Sequence, residues 1–154
     1  MKTILKNRYL IFLLRVALGV YFLYAASAKI IQPAEFATAI RDYQLIPDLL
    51  SNIPAVMIPW LEFYCGLFLL LGLFTSSAAV TAFTLMGVFT LAVVSALLRG
   101  LEIDCGCGVS LAGVQQVSWL KVAENAGIMA VLYWVAVVPA RFAGLDRFRK
   151  SAGK

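Results

Sequence analysis

Two cysteines one residue apart, Cys105 and Cys107, stand in the run Glu102-Ile103-Asp104-Cys105-Gly106-Cys107-Gly108. A disulfide between them closes a very small ring, whose strain makes the bond easier to reduce than a relaxed structural bridge. Glycines at 106 and 108 supply the backbone angles that such a tight turn demands. The pair therefore reads first as a redox-active dithiol. Two other readings stay open: a passive clip or partner-linked disulfide, and a metal site shared with Asp104, Glu102 or another chain. A clip closing so short a loop gains little entropy, and the metal reading lacks ligands. A thiolate is the attacking species in exchange. Asp104 opposes its formation, so Lys29, Arg99 or Lys121 has to supply compensating positive charge.

The other residues with chemistry lie inside apolar segments. Glu62 and Arg15 each carry charge where an ionisable group at mid-bilayer costs at least about 2.5 kcal/mol. They can pair with each other, although their α-carbons are offset by roughly 9 Å along the helix axes. Alternatively, Lys29 reaches Glu62 from the outer end of the first segment. A helix-locking ion pair and a proton-handling or ligand-binding role are both open for this group. The third cysteine, Cys65, shares a helical face with Glu62. It lies roughly 15 Å below the outer end of its helix, which marks it as a core residue. Lys121, Glu124 and Asn125 form a further polar cluster, in which Lys121 and Glu124 are spaced to satisfy each other.

The rest of the chain says where this chemistry takes place. Of 154 residues, 62% are hydrophobic and 14% are charged, and the mean hydropathy is +0.90, against roughly 45–50% and 25% for a soluble domain. That composition belongs to a membrane protein and leaves no room for a large extramembrane catalytic domain. Histidine is absent, which excludes imidazole base catalysis, bis-His haem and the commonest zinc and copper sites. Three cysteines cannot form a four-thiolate cluster. The net charge of +5 sits mostly in the tails, without an aromatic-interleaved basic patch, so no nucleic-acid partner is expected.

Four spans are predicted within one all-α, four-helix membrane domain of residues 1–154, at about 9–28, 53–74, 78–98 and 119–138. The first also has the look of a signal peptide, with Ala26-Ser27-Ala28 as a cleavage-like site. Its length and Arg15 favour an uncleaved helix. Thr75-Ser76-Ser77 is expected to link the second and third spans as an antiparallel hairpin. Arg99-Gly100 ends the third, Ser118 caps the fourth, and Pro139 stops it. Alanines four apart, such as Ala78 with Ala82, suit close helix packing. Between the first two spans, Pro33 opens a short amphipathic helix with Phe36, Ala39, Ile40 and Tyr43 on one face, read as an interfacial element or a lid.

Lysine and arginine bias sets the orientation. With both termini inside, the inner side holds Lys2, Lys6, Arg8, Arg141, Arg147, Arg149, Lys150 and Lys154, against Lys29, Arg41, Arg99 and Lys121 outside. The cysteine turn then faces the periplasmic side, an oxidising compartment.

These residues together resemble the MauE and DoxX-like redox-associated membrane proteins. The likeness runs through Arg15 and Gly19, Lys29, Pro33 and Phe36, the Tyr43 to Pro47 stretch, Pro59 and Glu62, and then Cys105-Gly106-Cys107. In the MauE branch a phenylalanine often stands between that turn and the next glycine, whereas Gly108 follows directly here. The resemblance implies a four-helix protein of the bacterial inner membrane linked to periplasmic thiol redox chemistry. MauE is associated with maturation of methylamine dehydrogenase alongside a thioredoxin-like protein, and DoxX relatives with thiosulfate-to-quinone electron transfer.

The expected function is a membrane thiol-disulfide component in which Cys105 and Cys107 cycle with a periplasmic thioredoxin-like protein or a maturing enzyme, with a quinone among the helices as candidate electron carrier. Glu62, Arg15 and Lys29 form the candidate intramembrane charge or ligand site, and no metal is expected. A non-catalytic assembly or anchoring subunit is the alternative, and small-solute transport comes third.

Overall fold

The fold was taken from a computed structural model, which describes residues 8–104, 106 and 116–137. Within these, α1 (Arg8–Ile31) is followed by α2 (Pro33–Asp42), a single 3-10 turn at Asp48–Leu50, α3 (Asn52–Leu71), α4 (Thr75–Leu98) and α5 (Trp119–Val137). Four of them, α1, α3, α4 and α5, are long and apolar enough to cross a membrane. Their outward faces carry large apolar side chains such as Leu91, Leu98, Val80 and Tyr133, a surface suited to lipid tails and costly in water. The inward faces meet in a core of Leu18 and Phe22 from α1, Cys65 and Leu69 from α3, Ala78, Ala79 and Ala82 from α4, and Ile128, Leu132 and Val135 from α5.

Helix ends follow local chemistry, and some depart from the expected positions. The turn between α3 and α4 is Gly72-Leu73-Phe74, while Thr75-Ser76-Ser77 is already helical and begins α4. The reason is Gly72, which takes a left-handed φ of 68° and lets the amides of Gly72 and Leu73 close back on the carbonyl of Phe68. Glycine fills this position at no steric cost. The three hydroxyl residues therefore lie past the stop. At the far end of α4, Leu101 donates to the Ala96 carbonyl and Gly100 to that of Leu97, the two-bond closure that follows a left-handed glycine. Ser118 caps α5 as expected, with its Oγ accepting from the Lys121 amide at 3.3 Å. The first span runs to Ile31 rather than Ala28 because Lys29 is neutralised within the bundle rather than released to solvent.

Helices α1 and α3 cross where two glycines face each other. A Cβ placed on Gly66 would stand 2.9 Å from the Leu23 amide nitrogen and 3.0 Å from the Gly19 carbonyl oxygen. Backbone cannot yield as a side-chain tip can, and small residues are what permit such approach in membranes. The connection between α4 and α5, loop three, is gathered at its base by an antiparallel bridge between Asp104 and Gln116 and by the Val117 amide donating to the Ile103 carbonyl at 3.0 Å.

Gly66→Ala is expected to destabilise the bundle by about 1–3 kcal/mol, the usual cost of overpacking. Gly127→Ala, at a site with open space around it, should not. The temperature at which buried Cys65 begins to react with a thiol-specific fluorophore in detergent checks both.

Candidate functional site

Sequence placed Arg15, Lys29 and Glu62 in the candidate charge site, and the structure joins two of them. The Lys29 ammonium donates to both carboxylate oxygens of Glu62, at 2.8 and 2.7 Å, with the two residues only 5% and 8% exposed. The direction of side chains on a helix explains the choice. Starting from the Gly19–Gly66 crossing, Lys29 lies about 15 Å toward one end of the bundle and Glu62 about 6 Å toward the same end, since the helices are antiparallel. Each side chain leans toward its own helix N-terminus, so Lys29 reaches back and Glu62 reaches forward, closing the gap. Arg15 lies about 6 Å beyond the crossing on the opposite side and leans further away. Its buried guanidinium stands 5.3 Å from the Phe12 ring centroid instead.

Two aromatic rings complete the surroundings of Lys29. Its Nζ lies 5.2 Å from the centroid of Phe36 on α2 and 5.4 Å from that of Phe89 on α4. A buried ion pair must recover the hydration it gave up, several kcal/mol per ion. Here the recovery comes from two charge-assisted hydrogen bonds and two ring faces. Four elements thus converge on one ammonium. The ring of Phe89 gave no signal in the sequence, because a phenylalanine on an apolar span has no pattern to distinguish it from core.

A partly enclosed cleft adjoins the pair, lined in part by Tyr21, Phe22, Met86, Phe89 and Asn125. Its enclosed part has room for about one water molecule. The enclosed part of this cleft is too small for a quinone ring. On the α5 side, Asn125 donates to Thr90 Oγ1 at 3.2 Å and Thr90 to the Met86 carbonyl at 2.7 Å. Lys121 and Glu124 pair at 3.2 Å as their spacing suggested. Among the described residues, no three His, Cys, Asp or Glu side chains gather as metal ligands.

Cys105 and Cys107 lie outside the described residues, but Gly106 between them is placed. Its φ is +63°, and a Cβ there would stand 2.8 Å from that of Ala39 and 3.4 Å from Cδ2 of Phe36. The central residue of the cysteine turn therefore rests on α2, on the helix whose Phe36 also covers Lys29. A glycine is required twice over, by the left-handed angle and by the contact. Just past the end of α2, Tyr43 is buried against Val93 and Ala96, and burial pushes its phenol well above the usual tyrosine range. The Tyr43 carbonyl accepts from the Arg99 guanidinium, which fastens the end of α2 to the end of α4.

A family model described as "Methylamine utilisation protein MauE" matches residues 7–138. The chain belongs to the MauE family. Methylamine utilization protein MauE of Paracoccus denitrificans is 35% identical over 125 residues, covering 80% of this chain and 66% of the relative. That of Paracoccus versutus is 34% identical over 145 residues, covering 91% and 76%. The Methylophilus methylotrophus protein is 29% identical over 123 residues, covering 79% and 65%. The chain therefore spans about two thirds to three quarters of the length of these MauE relatives. No solved structure matches it. Membership of the MauE family together with four spanning helices makes it a multi-pass membrane protein.

Glu62→Gln leaves the Lys29 charge buried without its counter-ion and is expected to cost about 3–5 kcal/mol. Removing both charges in Lys29→Met with Glu62→Leu should recover most of that, because an apolar pair of similar volume carries no desolvation cost. Thermal unfolding of the two variants in the same detergent distinguishes the single from the double change.

Proposed function

We propose that this MauE-family protein is a thiol-disulfide component of methylamine utilisation in the bacterial inner membrane, with both termini cytoplasmic and the Cys105-Gly106-Cys107 turn on the periplasmic side. Its partner is a thioredoxin-like protein or an enzyme undergoing disulfide maturation. The observation that supports this reading is the seat of Gly106 on α2, where the left-handed glycine between the two cysteines is held against Ala39 and Phe36. The names of the relatives, which place those proteins in methylamine utilisation, support the pathway. The charge distribution across the predicted loops supports the orientation.

The exchange needs no group beyond the two proteins. A thiolate of the partner attacks one sulfur of the Cys105–Cys107 disulfide, and the other sulfur leaves as a thiolate. The partner's second thiolate then attacks the mixed disulfide. The products are a disulfide in the partner and a dithiol here, with two electrons moved, and the same steps run backwards from the opposite start. Strain in the small ring favours the direction that opens it. The intramembrane pair of Lys29 and Glu62 has a structural part in this reading: it joins α1 to α3 and, through the Phe36 ring over Lys29, steadies the helix α2 on which Gly106 is seated.

Cys105→Ser and Cys107→Ser, tested singly in native membranes, are expected to leave one variant covalently joined to the partner on non-reducing gels, with the adduct lost on reduction. The double variant should abolish both the adduct and partner maturation. A pair that stays oxidised in the presence of the reduced partner, with maturation intact in the double variant, would instead indicate an anchoring subunit. In intact spheroplasts, a membrane-impermeant maleimide should label the reduced turn from outside. Labelling only after permeabilisation would reverse the orientation.

A further inference from the structure

We infer that α2 is the positioning element for the cysteine turn, with Phe36 and Ala39 setting the redox equilibrium of the residues on either side of Gly106. The inference rests on the thiol-disulfide reading above and deepens it.

The argument begins with what holds α2 in place. The helix is ten residues long and starts at Pro33, too short to be stable by itself in water. Three contacts fix it. Phe36 and Ala37 are buried and pack with Ala55 of α3. The Phe36 ring is also held by the Lys29 ammonium, which Glu62 locks from α3. The end of the helix is fastened through the Tyr43 carbonyl and Arg99. A short amphipathic helix is thereby made into a rigid shelf.

Gly106 meets this shelf at its tightest point. Real Cβ atoms do not approach one another to 2.8 Å, so Ala39 and the edge of Phe36 leave room for a glycine and nothing larger. Cys105 and Cys107 are bonded directly to that glycine. Whether their sulfurs sit at bonding separation depends on the dihedral angles at Gly106, since disulfide geometry tolerates little deviation. Any side chain at 39 that pushes Gly106 outward changes those angles, and with them the relative stability of disulfide and dithiol. In this scheme Phe36 and Ala39 act through the glycine, as positioning residues.

The test titrates the Cys105–Cys107 pair in native membranes against glutathione buffers of graded ratio, trapping thiols with a maleimide that shifts gel mobility. Cys65, free and buried, serves as the internal report on folding because it should remain unlabelled. Ala39→Leu is expected to change the oxidised-to-reduced ratio at a fixed buffer by about tenfold, equivalent to about 30 mV for a two-electron couple. Phe36→Leu, which keeps apolar bulk and loses the ring edge, should change it by about threefold or more. Ala39→Ser, nearly unchanged in size, should stay within about twofold of the parent. Ala39→Gly should partly return a Gly106→Ala variant toward the parent ratio. If Ala39→Leu and Phe36→Leu both titrate within twofold of the parent while Cys65 stays protected, the positioning role is overturned. If exposure of Cys65 accompanies every change of ratio, α2 is needed only for folding, and the role is likewise overturned. A parent pair that does not titrate at all removes the redox reading itself, an outcome separate from the other two.

Discussion

A buried ammonium held by one carboxylate and two aromatic rings is the constraint around which this small bundle is arranged. Lys29 belongs to α1, Glu62 to α3, Phe36 to α2 and Phe89 to α4. Neither charge is tolerable alone at this depth, since an unpaired buried ion costs several kcal/mol. The pair therefore acts less as a source of net stability than as a filter on geometry. Arrangements that slide α1 along α3 break it, whereas apolar contacts such as those of Leu18 and Leu69 could re-form with other partners. The glycine crossing between Gly19 and Gly66 adds a second fixed point about 15 Å along α1. Two points on one pair of helices determine both their spacing and their register.

The same constraint reaches the outer loops by steric contact. Phe36 cannot leave the Lys29 ammonium without giving up its burial in the cluster with Ala37 and Ala55, so α2 is held over the end of the bundle. Gly106 is seated on α2, and loop three is gathered at Asp104 and Gln116. From Glu62 to Gly106 each link is a contact between named side chains or backbone atoms. The lipid-facing surface contributes no comparable specificity. Its exposed leucines, valines and aromatics meet fluid tails, and apolar bulk is their requirement.

Much of the fold could be read from the chain because a membrane leaves few options: a segment of about 20 apolar residues has to be a helix. The spans, the cap at Ser118 and the stop at Gly100 are local signals of this kind. Misplacing the α3–α4 turn by three residues shows where such signals compete. Thr75-Ser76-Ser77 has loop composition, yet Gly72 had already supplied the left-handed angle that ends α3. In the site, Glu62 and Arg15 were legible as costly charges and Lys29 as an alternative partner from the outer end; the Gly19–Gly66 crossing and the lean of helical side chains then pair Lys29 with Glu62 and exclude Arg15. The seats of Phe36 and Phe89 on Lys29 were not legible. That of Phe89 depends on how α4 rotates about its axis, which a span apolar on every face does not encode, and that of Phe36 on where the amphipathic α2 docks, which its apolar face alone does not specify. The contact of Gly106 with Ala39 is further still from the sequence, joining a loop to a helix 67 positions earlier.

The three cations from which thiolate stabilisation was expected are all engaged. Lys29 is neutralised by Glu62, Lys121 is paired with Glu124, and Arg99 donates to the carbonyls of Tyr43 and Ser95. A cation already facing a carboxylate offers a nearby thiolate much less than its full charge, and Asp104 stands directly before the turn with the opposite sign. Charge is therefore a poor basis for reactivity in the proposed exchange. Ring strain is a better one, because it acts on the disulfide rather than on the thiolate and needs no cation. Strain is useful only if the backbone between the two sulfurs is prevented from relaxing it away. The most flexible residue in that turn is Gly106, and it is the one pressed against α2. The rigidity of a helix anchored by a buried ion pair, rather than an electric field from that pair, is what this membrane bundle can contribute to the chemistry at its surface.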